Sequence, residues 1–266
     1  MGRKAYPLTL PGNAVIYILS RPDMNKTTMR LAPLLFACFL ALPASAMYPS
    51  APVPPPPDRP MTPIILDPGH GGDDLGAVVS GLREKDIALA FAQKLKRRLS
   101  RAGDQPVVLT RPDDKYVTLD ERIVDSVDWS GAVFVSIHLN KIKGKKATGA
   151  VVYSYGPEKL RAWRKKRHPS VPPMPAPPRG QSADSERLAR LMSKTLRGDG
   201  FRAETAKSDY YVLKNPAQPS VLIELGYMNN PGEVANLVDP AYQDRMVESL
   251  AKALEKFTAP TVVTGL

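Results

Sequence analysis

The chain has 266 residues, of which 43% are hydrophobic, and a formal net charge of +11. This length suits one or two domains, and the hydrophobic fraction is sufficient for a buried core. The single cysteine, Cys38, excludes an intramolecular disulfide framework and a cysteine-rich zinc site, so a metal site would need histidine and carboxylate ligands.

The N-terminal region predicts an export signal. Residues 24–46 begin with a basic stretch, continue with the apolar run 31–42, and end in small residues suited to signal peptidase. The apolar run is too short to span a bilayer as a stable helix, so a cleaved signal peptide is expected over 24–46. Residues 1–23 fit no part of such a signal. We expect them to be a mis-assigned upstream extension, with translation starting at Met24 or Met29.

A proline-rich stretch follows the predicted signal. Seven prolines occur within 49–60, so residues 47–61 are predicted to form an extended linker rather than part of a core. The folded domain is expected over 62–258, followed by a tail over 259–266. The expected location is the periplasm, with secretion as the alternative.

Short apolar runs alternate with stretches of helical periodicity along this domain. Strands are predicted over 63–67, 105–111, 132–138, 148–155, 210–214 and 220–226. Helices are predicted over 83–103, 118–127, 185–198 and 241–257. Thr118 and Glu121 form a capping-box pattern at the start of the second helix. Because the strands are almost continuously apolar, we predict an α/β domain with a mostly parallel twisted sheet and helices on both faces.

Residues 157–184 form a basic insertion with seven basic and two acidic residues. A short helix is expected over 158–167, followed by a proline-rich loop, and His168 is expected to be exposed to solvent. The insertion is interpreted as a solvated loop, a contact for anionic polymer or membrane head groups, or a cover over a site. Membrane contact is expected only through the signal peptide or, weakly, through this insertion. Nucleic acid is not an expected partner, because no aromatic-rich basic motif is present.

Three chemically competent side chains follow or end predicted strands, where ligand sites of parallel sheets occur. They are His70, His138 and Glu224, and Glu84 lies in the first turn of the first helix. The glycines around His70 leave room for it to reach a metal. Two imidazoles, one carboxylate and a water would complete the tetrahedral shell of a catalytic Zn²⁺, leaving the other carboxylate as a base.

Each of these residues also has an ordinary structural interpretation. Either histidine alone could simply be hydrogen-bonded, and Glu84 alone could complement the helix dipole. Glu224 is harder to explain in this way, because an unpaired carboxylate within an apolar strand costs several kcal/mol unless a cation compensates it. Asp67 is expected to orient His70 from behind.

Five motifs, in this order along the chain, resemble the zinc-dependent N-acetylmuramoyl-L-alanine amidases of the amidase-3 family. The resemblance covers about 64–257, interrupted by the insertion. The motifs are ILDPGHGGDDLGA, REKD, TR followed by TLDERI, VSIHLN, and YYVLKNPAQPSVLIELGYMNNPGE.

The resemblance implies a phosphorylase/hydrolase-like fold and cleavage of the peptidoglycan amide between N-acetylmuramic acid and L-alanine. By position it implies zinc as the cofactor, His70, Glu84 and His138 as its ligands, and Glu224 as the catalytic glutamate. Leu139 departs from the small residue usual in the family. The alternatives are a zinc peptidase or deacylase on the same scaffold and a catalytically silent wall-binding protein.

The insertion lies where some relatives of this family carry a regulatory helix that blocks the zinc. Autoinhibition by residues 157–184, relieved by a protein activator, is therefore a hypothesis that follows from the resemblance.

Overall fold

The computed structural model divides into two units, residues 1–54 and 55–266. It describes residues 5–9, 15–19, 62–101, 105–127, 129, 131–142, 144, 147–156 and 175–259. In the first unit, strands β1 (Ala5–Thr9) and β2 (Val15–Leu19) pair antiparallel. The predicted signal peptide, the linker, insertion residues 157–174 and the end of the tail lie outside the described residues.

The second unit is built on a six-stranded sheet with the order β6-β3-β7-β10-β8-β9. Its strands are β3 (Ile64–Pro68), β6 (Val107–Leu109), β7 (Val133–Asn140), β8 (Ala150–Tyr155), β9 (Ala203–Ser208) and β10 (Ser220–Tyr227). The first four strands of this order are parallel, whereas β8 pairs antiparallel with β10 and parallel with β9. A separate hairpin joins β4 (Val78–Val79) to β5 (Leu82–Arg83).

Helices cover both faces of this sheet. They are α1 (Glu84–Arg101), α2 (Leu119–Val127), α3 (Arg179–Gly198), α4 (Pro231–Val238), α5 (Pro240–Thr258) and a 3-10 helix (Tyr211–Lys214). The predicted fold class is therefore confirmed. None of the helices in the described part of the chain is both long and apolar enough to cross a membrane.

Alternating side chains of the central strands define two cores. Ile64 and Leu66 point to the larger core, on the face covered by α1, α3 and α5. Ile65 points to the smaller core on the opposite face, where Val212 and Leu213 of the 3-10 helix pack. Helix α2 also lies on this second face, because it contacts the 3-10 helix.

The capping-box prediction for α2 is confirmed. The backbone N–H of Glu121 donates to Thr118 Oγ1 at 3.2 Å, and the backbone N–H of Thr118 donates to Glu121 Oε2 at 2.8 Å. These two bonds satisfy amide groups that the first helical turn leaves without partners, so the start of α2 is well defined.

Several predicted elements differ from the structure. Residues 210–214 were expected to be a strand, and this is wrong: the segment bends into the 3-10 helix so that Val212 and Leu213 enter the smaller core. Strand β9 was missed, because its exposed edge residues carry no apolar alternation. Helix α3 begins at Arg179, six residues earlier than predicted, and thus includes the end of the predicted insertion. Helix α4 and the β4–β5 hairpin were also missed.

Candidate metal centre

The carboxyl ends of three neighbouring strands form the site. In the parallel register Glu224 of β10 lies opposite His138 of β7, and Pro68 of β3 lies opposite Ile137. Side chains two residues apart share a face, so His138 and Glu224 both point toward the face of the smaller core. His70 follows β3 by two residues and therefore reaches the same edge.

Three of the predicted site residues form one compact donor set. Glu84 Oε1 lies 3.1 Å from His70 Nε2 and 3.0 Å from His138 Nδ1. One ligand atom from each residue lies within 4.8 Å of the others. Ligand atoms around a tetrahedral zinc, with bonds of about 2.1 Å, are separated by roughly 3.4 Å. The nitrogen, nitrogen and oxygen donors therefore fit a zinc ion in chemistry and in spacing.

Glu84 is held as an anion at this point. It is only 4% exposed, and it accepts the backbone N–H groups of Ala77 at 2.8 Å and Leu139 at 3.0 Å. Burial would raise the pKa of Glu84, but the hydrogen bonds and charges of His138 and His70 outweigh burial and lower this pKa. The buried carboxylate of Glu84 therefore requires a compensating positive charge between the two imidazole rings. Protons on the rings or a metal cation can supply this charge.

The sequence context of Glu224 suggested an unpaired carboxylate within an apolar strand, and the structure agrees. Its Oε2 atom is buried and has no hydrogen-bond partner among the described residues. Burial raises the pKa of Glu224 to about 7; His138 opposes this rise, whereas the negative charge of Glu84 adds to it. Because this oxygen is left free beside the donor set, it is available to exchange a proton with a group in the cavity.

Glycines create the space in which these side chains meet. A Cβ atom on Gly69 would lie 2.2 Å from Cε1 of His138. A Cβ atom on Gly76, whose φ is +64°, would lie 2.6 Å from Cδ2 of His70 and 2.7 Å from Oε2 of Glu84. Gly69, although it is adjacent to His70, thus makes room mainly for His138 of the neighbouring strand.

The expectation that Asp67 orients His70 from behind is wrong for the imidazole, which Asp67 does not contact; Asp67 reaches only the His70 backbone, through Arg122. Asp67 is buried and accepts hydrogen bonds from Thr110 at 2.7 Å, Arg122 at 2.5 Å and Ser136 at 2.6 Å. The imidazole of His70 instead meets Asp74, whose Oδ2 lies 2.8 Å from His70 Nδ1. This contact leaves His70 Nε2 directed at Glu84.

Two buried arginines hold the backbone that carries His70. Arg122 donates to the carbonyl oxygens of Pro68 at 2.9 Å and His70 at 2.8 Å. Arg111 is fully buried and donates to the carbonyl oxygens of Pro68 at 2.9 Å and Gly69 at 2.7 Å. These bonds fix a loop in which His70 adopts a φ of +58°, a conformation that non-glycine residues rarely adopt.

A cavity of about 430 Å³ opens over the donor set. Its walls include residues that sequence reasoning did not single out: Tyr116, Leu119, Arg122, Asn140, Lys141, Tyr211 and Val212. One local feature of the sequence could have indicated Asp74: it is an acidic residue four positions after His70 in the same glycine-rich loop. The other wall residues come from separate segments that only the fold brings together.

Comparison with known proteins agrees with this geometry. The profile of the N-acetylmuramoyl-L-alanine amidase family matches residues 64–256. The uncharacterized protein YqiI of Bacillus subtilis is 30% identical over 196 residues, which cover 73% of this chain and 84% of YqiI. The germination-specific N-acetylmuramoyl-L-alanine amidase of the same organism is 29% identical over 212 residues, covering 73% of this chain and 78% of that enzyme.

Solved structures give the same result. The catalytic domain of CwlV, an N-acetylmuramoyl-L-alanine amidase from Bacillus (Paenibacillus) polymyxa var. colistinus, superimposes with a TM-score of 0.61 and 27% identity, covering 74% of this chain and 98% of that domain. The CwlD amidase from Clostridioides difficile, solved in complex with the GerS lipoprotein, gives a TM-score of 0.57 and 28% identity, covering 74% of this chain and 98% of CwlD.

The buried pair of Asp67 and Arg122 generates a stability prediction. Burial would raise the pKa of Asp67, but Arg122 and the hydroxyl donors lower it. Asp67 therefore contributes stability that is present above its unfolded pKa, near 3.8, and is lost as the pH falls through the lower folded pKa. Arg122→Met should lower the free energy of unfolding by about 3–5 kcal/mol at pH 7, and the loss should shrink below about pH 4.

Urea unfolding at several pH values measures this difference. Arg98→Met is the matched control, because Arg98 forms partly exposed ion pairs with Glu248 and Glu255 and should cost about 1 kcal/mol or less. Equal losses in the two variants, or a loss that does not depend on pH, would contradict the assigned role of the buried pair.

Proposed function

The chain belongs to the N-acetylmuramoyl-L-alanine amidase family, and we propose that it carries out the reaction of this family with a zinc ion and a glutamate base. It is an amide hydrolase that acts on peptidoglycan, at the bond between N-acetylmuramic acid and the L-alanine of the stem peptide. The observation that supports the zinc mechanism best is the donor set of two imidazoles and one carboxylate beside an unpartnered, buried carboxylate oxygen.

In this proposal His70, Glu84 and His138 hold the zinc ion. A zinc ion bound there would polarise the amide carbonyl and lower the pKa of a water molecule toward neutrality. Asp74 acts through His70, because its hydrogen bond to Nδ1 keeps Nε2 as the metal-binding atom. Gly69 and Gly76 keep the rings and the carboxylate close enough to share one ion.

Glu224 is the proposed general base and acid. Its free Oε2 takes a proton from the attacking water while the new bond to the carbonyl carbon forms. The same oxygen then delivers that proton to the alanine nitrogen as the carbon–nitrogen bond breaks. The hydroxyl of the water stays on the carbonyl carbon, which becomes a new carboxyl group on the glycan, and the shuttled proton completes the free amino terminus of the stem peptide, so atoms and charge balance.

We also propose that the chain is exported and acts in the periplasm. The proposal rests on the predicted signal peptide over 24–46 and on the location of peptidoglycan outside the cytoplasmic membrane. Secretion beyond the periplasm is the alternative.

A protein activator is a further part of the proposal. Residues 157–184 interrupt the family motifs, and the similar amidase CwlD was solved as a complex with a lipoprotein. We propose that the insertion restricts the zinc site until a protein partner displaces it.

The first prediction of the proposed function concerns the reaction and its metal. The full chain, incubated with purified peptidoglycan, should release free stem peptides and leave denuded glycan, as read by mass spectrometry. A chelator should abolish the release and added Zn²⁺ should restore it, because the donor set suits zinc. Cuts inside the peptide would instead support a zinc peptidase. Unchanged peptidoglycan would support a silent wall-binding protein, provided that deletion of 157–174 also fails to produce activity.

The second prediction separates the base from the metal ligands. Glu224→Gln keeps the side-chain volume but cannot take a proton, so the rate should fall by about 10²- to 10⁴-fold with the zinc content unchanged. His70→Ala should lose both zinc and activity. Zinc content by elemental analysis and turnover of peptidoglycan are the two measurements. An active Glu224→Gln variant would refute the assigned role.

The third prediction concerns the orienting carboxylate. Asp74→Asn should weaken zinc binding by about 10- to 100-fold, because the amide is a poorer partner for the ring N–H of His70. Asp73→Asn is the matched control, since Asp73 is the exposed neighbour in the same loop. Competition with a chromophoric chelator measures the affinity, and equal affinities for the two variants would contradict the assignment.

A further inference from the structure

The cavity over the donor set has two chemically different walls. One wall is formed at the start of the β4–β5 hairpin and just after β7, and it contains Ala77 and Lys141. The other wall is formed by the segment before α2, the first residue of α2 and the 3-10 helix, and it contains Tyr116, Leu119 and Tyr211. The hairpin packs on the larger core, whereas the 3-10 helix packs on the smaller core, so these walls come from opposite faces of the sheet.

Lys141 brings a cation to the first wall. It follows β7 directly and lies three residues after His138. Its Nζ atom donates to the carbonyl oxygen of Val78 at 3.2 Å, while the N–H of the preceding residue, Ala77, donates to Glu84. At most about 7 Å of backbone separates these two hydrogen bonds, so the ammonium group is anchored close to the donor set.

The positive charge of Lys141 is not neutralised by a carboxylate within the described part of the protein. Among the other charged residues that line the cavity, Asp67 is paired with Arg122, and Asp74 is paired with His70. Lys141 is exposed and has no carboxylate partner among the described residues. An exposed ammonium group held against a cavity wall by a backbone carbonyl retains two N–H donors for an incoming anion.

We propose that Lys141 binds a carboxylate of the stem peptide, on the residue that follows the alanine. This inference rests on the proposed function, since it assumes that the scissile amide lies at the donor set. The two hydrogen bonds extend this backbone span, so Lys141 Nζ lies at most about 13 Å from Glu84 Oε2, within reach of a carboxylate on the second residue of an extended peptide. The wall with Tyr116 and Tyr211 is then left for the uncharged glycan.

This assignment predicts how the enzyme selects among peptides. A charged contact at the rim of a site contributes mainly to the choice of substrate and to the encounter rate, and salt weakens it. Stem peptides with a free carboxylate at the second position should therefore be better substrates than peptides with a carboxamide there.

The experiment compares two synthetic muropeptides that differ only in this carboxylate or carboxamide. With the full chain loaded with zinc, kcat/KM should be about five- to tenfold higher for the acid, and the preference should shrink as salt is added. Lys141→Met should lose the preference by reducing the rate on the acid alone, and Lys141→Arg should keep most of it. Lys252→Met is the control, because Lys252 pairs with Asp199 away from the cavity.

The possible outcomes distinguish a failure of the role of Lys141 from a failure of the proposed function. If wild type and Lys141→Met cleave the muramyl–alanine bond of both substrates equally well, the role of Lys141 is overturned while the proposed function stands. An equal loss on both substrates in Lys141→Met also overturns it, because the lysine would then act on the site in general. If neither the wild type nor the chain lacking 157–174 cleaves either substrate at this bond, the proposed function fails and this inference fails with it. Circular dichroism and zinc content verify that each variant is folded and loaded.

Discussion

The site depends above all on the way two buried arginines hold the backbone after β3. Arg111 and Arg122 donate to the carbonyl oxygens of Pro68, Gly69 and His70, three consecutive residues at and just beyond the end of β3. Buried carbonyl groups without hydrogen-bond donors would destabilise the folded state. The arginines supply these donors and so stabilise the irregular loop. Asp67 compensates the charge of Arg122 from within the sheet. The loop is thereby rigid enough to keep His70 in a conformation that an isolated chain would avoid.

The electrostatics of the site follow from this rigidity. One oxygen of Glu84 is shared between two imidazole rings, and Glu224 has a buried oxygen to which no described residue donates a hydrogen bond. Two carboxylates and two imidazoles in one pocket balance best around a cation, because the rings can bind it through lone pairs and Glu84 through its charge. The same arrangement that suits a metal also leaves Glu224 free to move a proton. The fold of the loop, the proposed metal affinity and the proposed acid–base role thus depend on the same few contacts.

The elements that could be predicted are those with strong local patterns. The apolar runs of β3, β7 and β10 and the periodicity of α1 and α5 are visible in the sequence, because burial on a regular element imposes a regular spacing. The segment 210–214 was mispredicted because tyrosine and valine favour strands, and only the position of the smaller core turns Val212 and Leu213 inward as a 3-10 helix. Strand β9 was missed for a different reason. It forms through its pairing with β8, and its own side chains are mostly exposed or half-buried, so they leave no apolar pattern in the sequence.

The fold class and the candidate residues His70, Glu84, His138 and Glu224 follow from local sequence patterns, because strand ends and the first turn of a helix can be located from such patterns. The way in which these residues meet depends on contacts that appear only in the folded domain. The tertiary structure placed Asp74 rather than Asp67 against His70, assigned Arg111 and Arg122 to the loop backbone, and brought Lys141 and the tyrosines to opposite walls. These contacts join segments far apart in the chain, and their geometry depends on strand register and on which face each side chain occupies. A periodicity along one segment carries no information about either.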